Sequence, residues 1–280
     1  MSASRIIGVQ IICAGLAIFG AAQAATHAPA PAHTAPAAPR SAAQVKALVQ
    51  EYVAAAGIAG LRAVRTRSCQ GEVELTPSSL SSGEGISPFH GRVELDWMAP
   101  GRAREVWTSG SAKTRRISDG DHGWEVGTAE ARRELHQAER VELSRLAELY
   151  QPAIVLPLDE LAFSRGDKVG ERAAWVLQTQ SGELLWLDQE THLPLRVDLL
   201  VERREPSRAG EFYLSQIFFE DWQPVVSSAP GASNTAGPIL LPRTVRRVLA
   251  QATLVYRFDD MKQDLELSTG LFKIPYFWRK

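Results

Sequence analysis

Residues 182–201 carry two apolar runs joined by a short polar turn. The first run ends at Asp188, and the second, from Leu193, sets Leu195, Val197, Leu199 and Val201 against Arg196, Asp198, Leu200 and Glu202. A period of two sends alternate side chains to opposite faces of an extended strand, so the segment is predicted to be an antiparallel hairpin. The pattern returns along most of the chain. Phe89, Val93, Leu95 and Trp97 share one parity while Arg92, Glu94 and Asp96 take the other, and Pro100 with Gly101 turns the chain back. Further strands are predicted at residues 65–77, 102–108, 113–118, 123–126, 168–171, 173–179, 211–220, 240–249, 253–259 and 265–271. Asp119, Gly120 and Asp121 form a tight turn between two of these.

Two stretches break the alternation. Over residues 42–56, Val45, Leu48, Val49, Tyr52 and Val53 fall at helical spacing, with Ser41 as N-cap and Gly57 as stop. Over residues 137–163, Val141, Leu146, Leu149 and Tyr150 predict one helix and residues 158–163 a shorter one, with Pro152 and Pro157 between them. Glu130, Glu134 and Glu139 are read as a solvated flank of the longer helix. Residues 78–87 and 227–238 are Ser/Gly and Gly/Ala/Ser/Pro loops. The implied class is mainly β (α+β): a large curved antiparallel sheet, or incomplete β-barrel, with helices covering the concave face.

The chain ahead of this domain sets the compartment. Arg5 precedes an apolar core over residues 6–20, and Ala22, Gln23 and Ala24 form a small-residue cleavage site. The core, about 15 residues, is too short to stay in a bilayer. Residues 1–24 are thus an export signal cut between Ala24 and Ala25, and the destination is the periplasm. Residues 25–41 are a disordered Ala/Pro-rich spacer that includes His27 and His33, and residues 42–280 are the folded domain.

Composition excludes several functions. The whole chain has 31 basic and 32 acidic residues, and the leader removes only Arg5, so no nucleic-acid partner is indicated. One of the two cysteines, Cys13, lies in the leader, which leaves Cys69 without a partner for an internal disulfide. No adjacent base activates Cys69 as a nucleophile, and it reads as a small buried hydrophobe. Asp119, Asp121 and His122 have metal-ligand chemistry, but their spacing is that of a turn. No hydrolase, phosphate-loop or Cys-x-x-Cys motif occurs, and the reading is of a non-enzyme with no catalytic residues, metal or cofactor.

Aromatic residues and arginines supply the remaining signals. Trp107, Trp186 and Phe219 lie in strands with apolar residues on both parities and are the candidate ligand-binding residues. Plain core packing is the competing reading for each. Arg115 with Arg116, Arg132 with Arg133, and Arg246 with Arg247 are adjacent pairs that a strand splits between its faces. One member of each either faces inward, meeting an acid or a headgroup, or guards an exposed edge.

The ordered motifs resemble a known family. They are Tyr52 to Gly57, a strand ending in Pro100-Gly101, the run Asp119 to Trp124, the Leu187-Asp188 to Leu193-Pro194 hairpin, Phe219-x-Asp221-Trp222, Leu241-Pro242 and Phe272-x-Ile274-Pro275. Together they look like the outer-membrane lipoprotein-sorting proteins of the LolA/LolB type and their exported relatives, over residues 42–275. That resemblance implies a half-barrel whose concave apolar face, lidded by helices, accepts acyl chains; sensors of the RseB type use a related domain. The insertion at residues 227–238 departs from the compact carriers, and no cargo-contact residue of theirs maps onto this chain.

The resulting expectation is a periplasmic binding protein for a lipid, a lipoprotein acyl chain or another hydrophobic ligand, touching a membrane only peripherally or transiently. An envelope interaction or sensory module with a filled core is the alternative, with an envelope protein as partner. A hydrolase built from scattered residues is the third.

Overall fold

The structure is a computed structural model that describes residues 41–78, 87–128, 131–202, 212–225 and 238–273. The expected leader, all but the last residue of the spacer, and nearly all of both predicted loops lie outside the described residues.

Thirteen antiparallel strands form a single sheet among the described residues. In chain order they are β1 Thr66–Pro77, β2 Phe89–Met98, β3 Arg102–Ser109, β4 Ala112–Ser118, β5 Gly123–Val126, β6 Arg132–Glu134, β7 Ala162–Val169, β8 Arg172–Gln178, β9 Leu184–Asp188, β10 Pro194–Glu202, β11 Phe212–Val225, β12 Ile239–Val248 and β13 Ala252–Gln263. Their spatial order is β6-β5-β4-β3-β2-β1-β13-β12-β11-β10-β9-β8-β7. Neighbours in sequence are neighbours in space except where β1 meets β13 and where β6 and β7 end the sheet unpaired. The sheet is therefore an unclosed barrel, as the alternation predicted.

Among the described residues four α-helices accompany it: α1 Ala42–Ala55, α2 Ile58–Leu61, α3 Gln137–Ala147 and α4 Pro152–Val155. Ser41 caps α1 reciprocally, its hydroxyl accepting from the Gln44 N–H at 3.4 Å and its own N–H donating to the Gln44 side chain at 3.0 Å. Val45, Leu48 and Tyr52 then form one buried stripe. Gly57, at φ +67°, ends the helix in the left-handed region, where a Cβ would also lie 2.6 Å from the Pro238 carbonyl oxygen. The Tyr52 hydroxyl accepts from Ala153 N–H at 3.1 Å and joins α1 to α4. α3 packs over β2, β3 and β4, while α1 lies against β7 and α2 against β12.

The register assigns the faces. Phe163, Leu177, Leu185, Val197, Ile217, Arg247, Leu254, Leu75 and Phe89 are successive cross-strand partners. This row crosses nine strands and is apolar at every position but Arg247. It belongs to the main core, which the helices cover. Each fully buried aliphatic or aromatic side chain in it contributes about 1.5–3 kcal/mol.

Several sequence expectations need correction. Residues 158–163 are not a helix: Leu158–Glu160 form a 3-10 turn and β7 begins at Ala162. Residues 265–271 are not a strand, since β13 ends at Gln263 and Thr269–Phe272 form a 3-10 turn that buries Phe272. Glu139 is not solvated. It is buried, accepting from the His136 N–H at 2.9 Å and holding Arg133 at 2.8 Å, so it caps α3 and ties it to β6. Val141, expected on the buried stripe, is 44% exposed. Glu130 lies outside the described residues.

Candidate functional site

Among the described residues, the large apolar cluster of the fold lies on the concave face beneath the helices. Its occupants are the inward parities of β1–β3 and β7–β13. Trp107 and Phe219 both belong to it. Trp107 stacks on Phe89 at 5.3 Å between ring centroids and meets Tyr256 edge-on at 6.4 Å. Phe219 lies across from Val245, which faces Tyr256 in turn, and packs on Trp222 at 5.9 Å. The two candidates thus flank Tyr256 from opposite sides.

Trp186 lies on the other face. Its row runs Arg165, Val176, Trp186, Arg196, Phe218, Arg246, Val255. With Ala174, Val176 and Leu195 it forms a separate small cluster. The Arg196 guanidinium is 4.2 Å from the Trp186 ring and 5.3 Å from Phe218, and that of Arg246 is 3.8 Å from Phe218. Four adjacent strands therefore carry an alternating aromatic and guanidinium ladder on the outer face. Asp198 holds Arg196 in place through two contacts of 2.6 Å. An open groove of about 300 Å³ lies beside it, lined by residues that include Arg172, Leu195, Phe218 and Arg246.

Polar groups are set into the inner face in two linked units. In the first, Glu105 on β3 pairs with Arg116 on β4, whose Nε donates at 2.7 Å, and accepts from the Trp107 indole at 2.7 Å and the Tyr256 hydroxyl at 3.1 Å. In the second, Arg247 on β12 meets Glu142 of α3 at 2.6 Å and donates to the Ser215 hydroxyl at 2.9 Å, while the Tyr150 hydroxyl also donates to Glu142. Burial works against the Arg116 charge, yet Glu105 and the Tyr256 hydroxyl hold its pKa above the ordinary arginine value. Arg247 is likewise raised despite burial, by Tyr150 and Glu142. Burial pushes Tyr150 and Tyr256 well above the usual phenol range; Glu142 and Glu105 reinforce this, and Arg247 and Arg116 respectively oppose it.

Local backbone geometry delivers Tyr150 to this place. Leu149 and Tyr150 follow α3 at φ 56° and 50°, and both are buried. Two successive left-handed residues each cost about 1–2 kcal/mol, and here they turn the chain so that both side chains enter the core.

Two of the arginine pairs are split between the faces as strand geometry requires, while Arg132 and Arg133 are both exposed on the edge strand β6. Arg116 and Arg247 point inward to acids; Arg115 is exposed and Arg246 lies on the outer ladder. Glu105, Glu142, Tyr150 and Tyr256 were not among the residues expected to matter. Glu105 carried a signal, being a charge on the same parity as Ala103 and Trp107. The Glu142 to Arg247 contact joins distant segments and leaves no local trace.

The turn at residues 119–122 does what its sequence suggested: Asp119 Oδ1 accepts from the backbone N–H groups of Asp121 at 3.1 Å and His122 at 2.8 Å. Among the described residues no group of three or more His, Cys, Asp and Glu is placed to hold a metal ion. No helix there is long and apolar enough to cross a membrane.

Fold and site together define an open antiparallel half-barrel roofed by short helices. A solved structure of a domain from Vibrio parahaemolyticus, named for outer-membrane lipoprotein sorting, superposes with a TM-score of 0.51 over 83% of this chain and 97% of that one, at 11% identity. A DUF1329 family protein from Desulfovibrio piger has a TM-score of 0.49, covering 82% of this chain and 97% of its own, at 12% identity. The first bears out the resemblance drawn from the ordered motifs, as a likeness of fold. No family model matches the sequence, and no curated protein does.

Proposed function

We propose that this is a non-enzymatic periplasmic binding protein that takes a lipid, a lipoprotein acyl chain or a comparable hydrophobic group onto the concave face. The observation that carries this reading is the apolar row across nine strands beneath a roof tied down by polar contacts. A buried ion pair gives back much of its Coulomb energy in desolvation, so a roof fastened by Glu142 and Arg247 releases at lower cost than one fastened by apolar packing alone. Each methylene that replaces roof contacts contributes about 0.8 kcal/mol, enough for a long chain to compete with closure. Trp107 and Phe219 are the proposed contacts within the face. Trp186, on the outer ladder, is proposed to contact ligand only if the adjacent groove is used. The likeness to a lipoprotein-sorting domain supports this reading through the fold, and the export signal supports the compartment.

Protein purified without detergent and examined by native mass spectrometry tests the reading. Co-purifying mass, or uptake of a sixteen-carbon fluorescent probe, is the expected result; a protein that stays empty and refuses the probe overturns it.

A second reading has an observation of its own. The inner face is filled by Trp107, Tyr150, Tyr256 and the two ion pairs, which is what an envelope interaction or sensory module with a closed core requires. Refusal of every apolar probe, with specific capture of an envelope protein, favours it.

A further inference from the structure

Among the described residues, Arg116 and Arg247 enter the inner face and each meets a carboxylate there, Arg116 on Glu105 and Arg247 on Glu142. Arg67 on β1 is different. It is 2% exposed, yet among the described residues no carboxylate lies within 4.0 Å of its guanidinium. Its hydrogen bond runs from Nη1 to the Ala147 carbonyl at the end of α3, at 3.5 Å, and its Nε has no acceptor. Glu148 and Asp264 act on it only through space, and Asp264 accepts from the Arg65 N–H. Removing a guanidinium from water without a counterion is costly, and burial accordingly lowers the Arg67 pKa.

The neighbour across β13 compounds the anomaly. Gln263 is the direct cross-strand partner of Arg67, is 0% exposed, and has no partner for either Nε2 or Oε1. On the other side Trp97 is the cross-strand partner, its ring 5.8 Å from the guanidinium carbon. One row therefore holds a cation with no carboxylate in contact among the described residues and an unused Nε–H donor, a carboxamide with donor and acceptor unused, and an aromatic wall. Along β1 the same face continues through Cys69 and Val73, both fully buried and apolar. The corner is cationic and hydrogen-bond hungry at one end of an apolar track.

We propose that this corner binds the oxyanion of an amphiphile, a carboxylate or a phosphate, on the Arg67 guanidinium and the Gln263 carboxamide, with the hydrocarbon tail along the inner face of β1. The inference rests on the carriage reading above and specifies the ligand class. The guanidinium fork matches two oxygens of either anion. Gln263 Nε2 supplies a further donor, and its Oε1 accepts from the remaining hydroxyl of a singly protonated phosphate.

Lipid-free protein is titrated with palmitate, hexadecyl phosphate and methyl palmitate, which share one tail length, and separately with acetate and inorganic phosphate. Both long-chain acids are expected to bind roughly 10- to 100-fold more tightly than the ester, the span that charge-assisted hydrogen bonds supply. The tighter of the two acids identifies the headgroup. Arg67→Met and Gln263→Leu are each expected to remove most of that preference while lowering ester affinity much less, since the ester carbonyl makes only neutral hydrogen bonds there; Gln263→Leu carries the test if Arg67→Met does not fold. Equal affinity for acids and ester in the parent protein, or a preference that survives in Gln263→Leu, overturns the headgroup site but leaves carriage standing. Inorganic phosphate binding as tightly as hexadecyl phosphate also overturns it, since the site then serves a free anion. If none of the long-chain compounds binds, the carriage reading falls with it.

Discussion

Arg247 on β12 and Glu142 on α3 meet at 2.6 Å beneath the helical roof, with the two side chains only 10% and 6% exposed. One contact therefore joins the sheet to its cover through a desolvated ion pair. Its removal has consequences for both stability and access.

Glu142→Leu leaves Arg247 buried without a counterion and Arg247→Met does the same to Glu142, and each is expected to cost about 3–5 kcal/mol. The double variant Glu142→Leu with Arg247→Met is expected to lose less than the sum of the single losses, because neither orphaned charge remains. Urea unfolding of the four proteins forms a cycle that measures the coupling directly. Additive losses would show that the pair does not act as a unit.

Trp107 and Trp186 offer a spectroscopic test of the face on which the proposed ligand binds. Trp107 sits against Phe89, Tyr256 and Glu105 on the covered face, whereas Trp186 lies under Arg196 on the other. A ligand entering beneath the helices is expected to change tryptophan emission in the parent and in Trp186→Phe, and to change it much less in Trp107→Phe. The reverse pattern would place binding at the outer groove.

Alkaline pH should weaken the fold in two stages. Burial raises the Cys69 thiol from 9.0 to about 12, with the nearby Arg67 charge opposing. A group with a raised folded pKa contributes its full stability below the unfolded value, here pH 9, and loses that contribution as pH climbs toward the folded value. The slope is about 1.4 kcal/mol per pH unit for one proton. Above pH 10, Tyr150 and Tyr256, also raised by burial, add to the loss in the same direction. Urea midpoints at pH 8, 9.5 and 10.5 should fall progressively, and Cys69→Ala should flatten the step between the first two. The native thiol should also resist a thiol reagent at pH 8 and react once the chain unfolds.

Gly71 sits at the bulge where β1 and β13 change register, and a Cβ there would lie 1.9 Å from the Arg257 carbonyl oxygen. That obstacle is backbone and cannot rotate away. Gly71→Ala is expected to cost about 3 kcal/mol or more, read as a lowered denaturation midpoint. A neutral effect would mean that the bulge reforms elsewhere along the pair.

Residues that repeat with period two were readable from the chain, because Val93, Leu95 and Trp97 alternate with Arg92, Glu94 and Asp96 whatever the partner strand does. β6 was not readable: Arg132–Glu134 is three exposed residues held by pairing with β5, and no apolar period marks it. Residues 158–163 misled because a short run with Leu158, Leu161 and Phe163 fits helix and strand spacing alike. Trp186 and Phe219 looked equivalent since both strands are apolar on both parities; only the cross-strand register separates their faces. The inner polar units escaped for a related reason. Glu105, Tyr256, Glu142 and Arg247 come from segments that meet only when the sheet curls and α3 lies across it.

The unpaired edges at β6 and β7 bear on how much space the molecule can enclose. A closed barrel has its radius fixed by strand number and stagger, so its interior cannot grow without breaking backbone hydrogen bonds. A sheet with a seam has no such constraint. Small changes of twist, spread over its successive strand pairs, alter its curvature while leaving every ladder intact. The space beneath the helices is thus an elastic property of the sheet, and the helices, rather than any ring of strands, set its resting size.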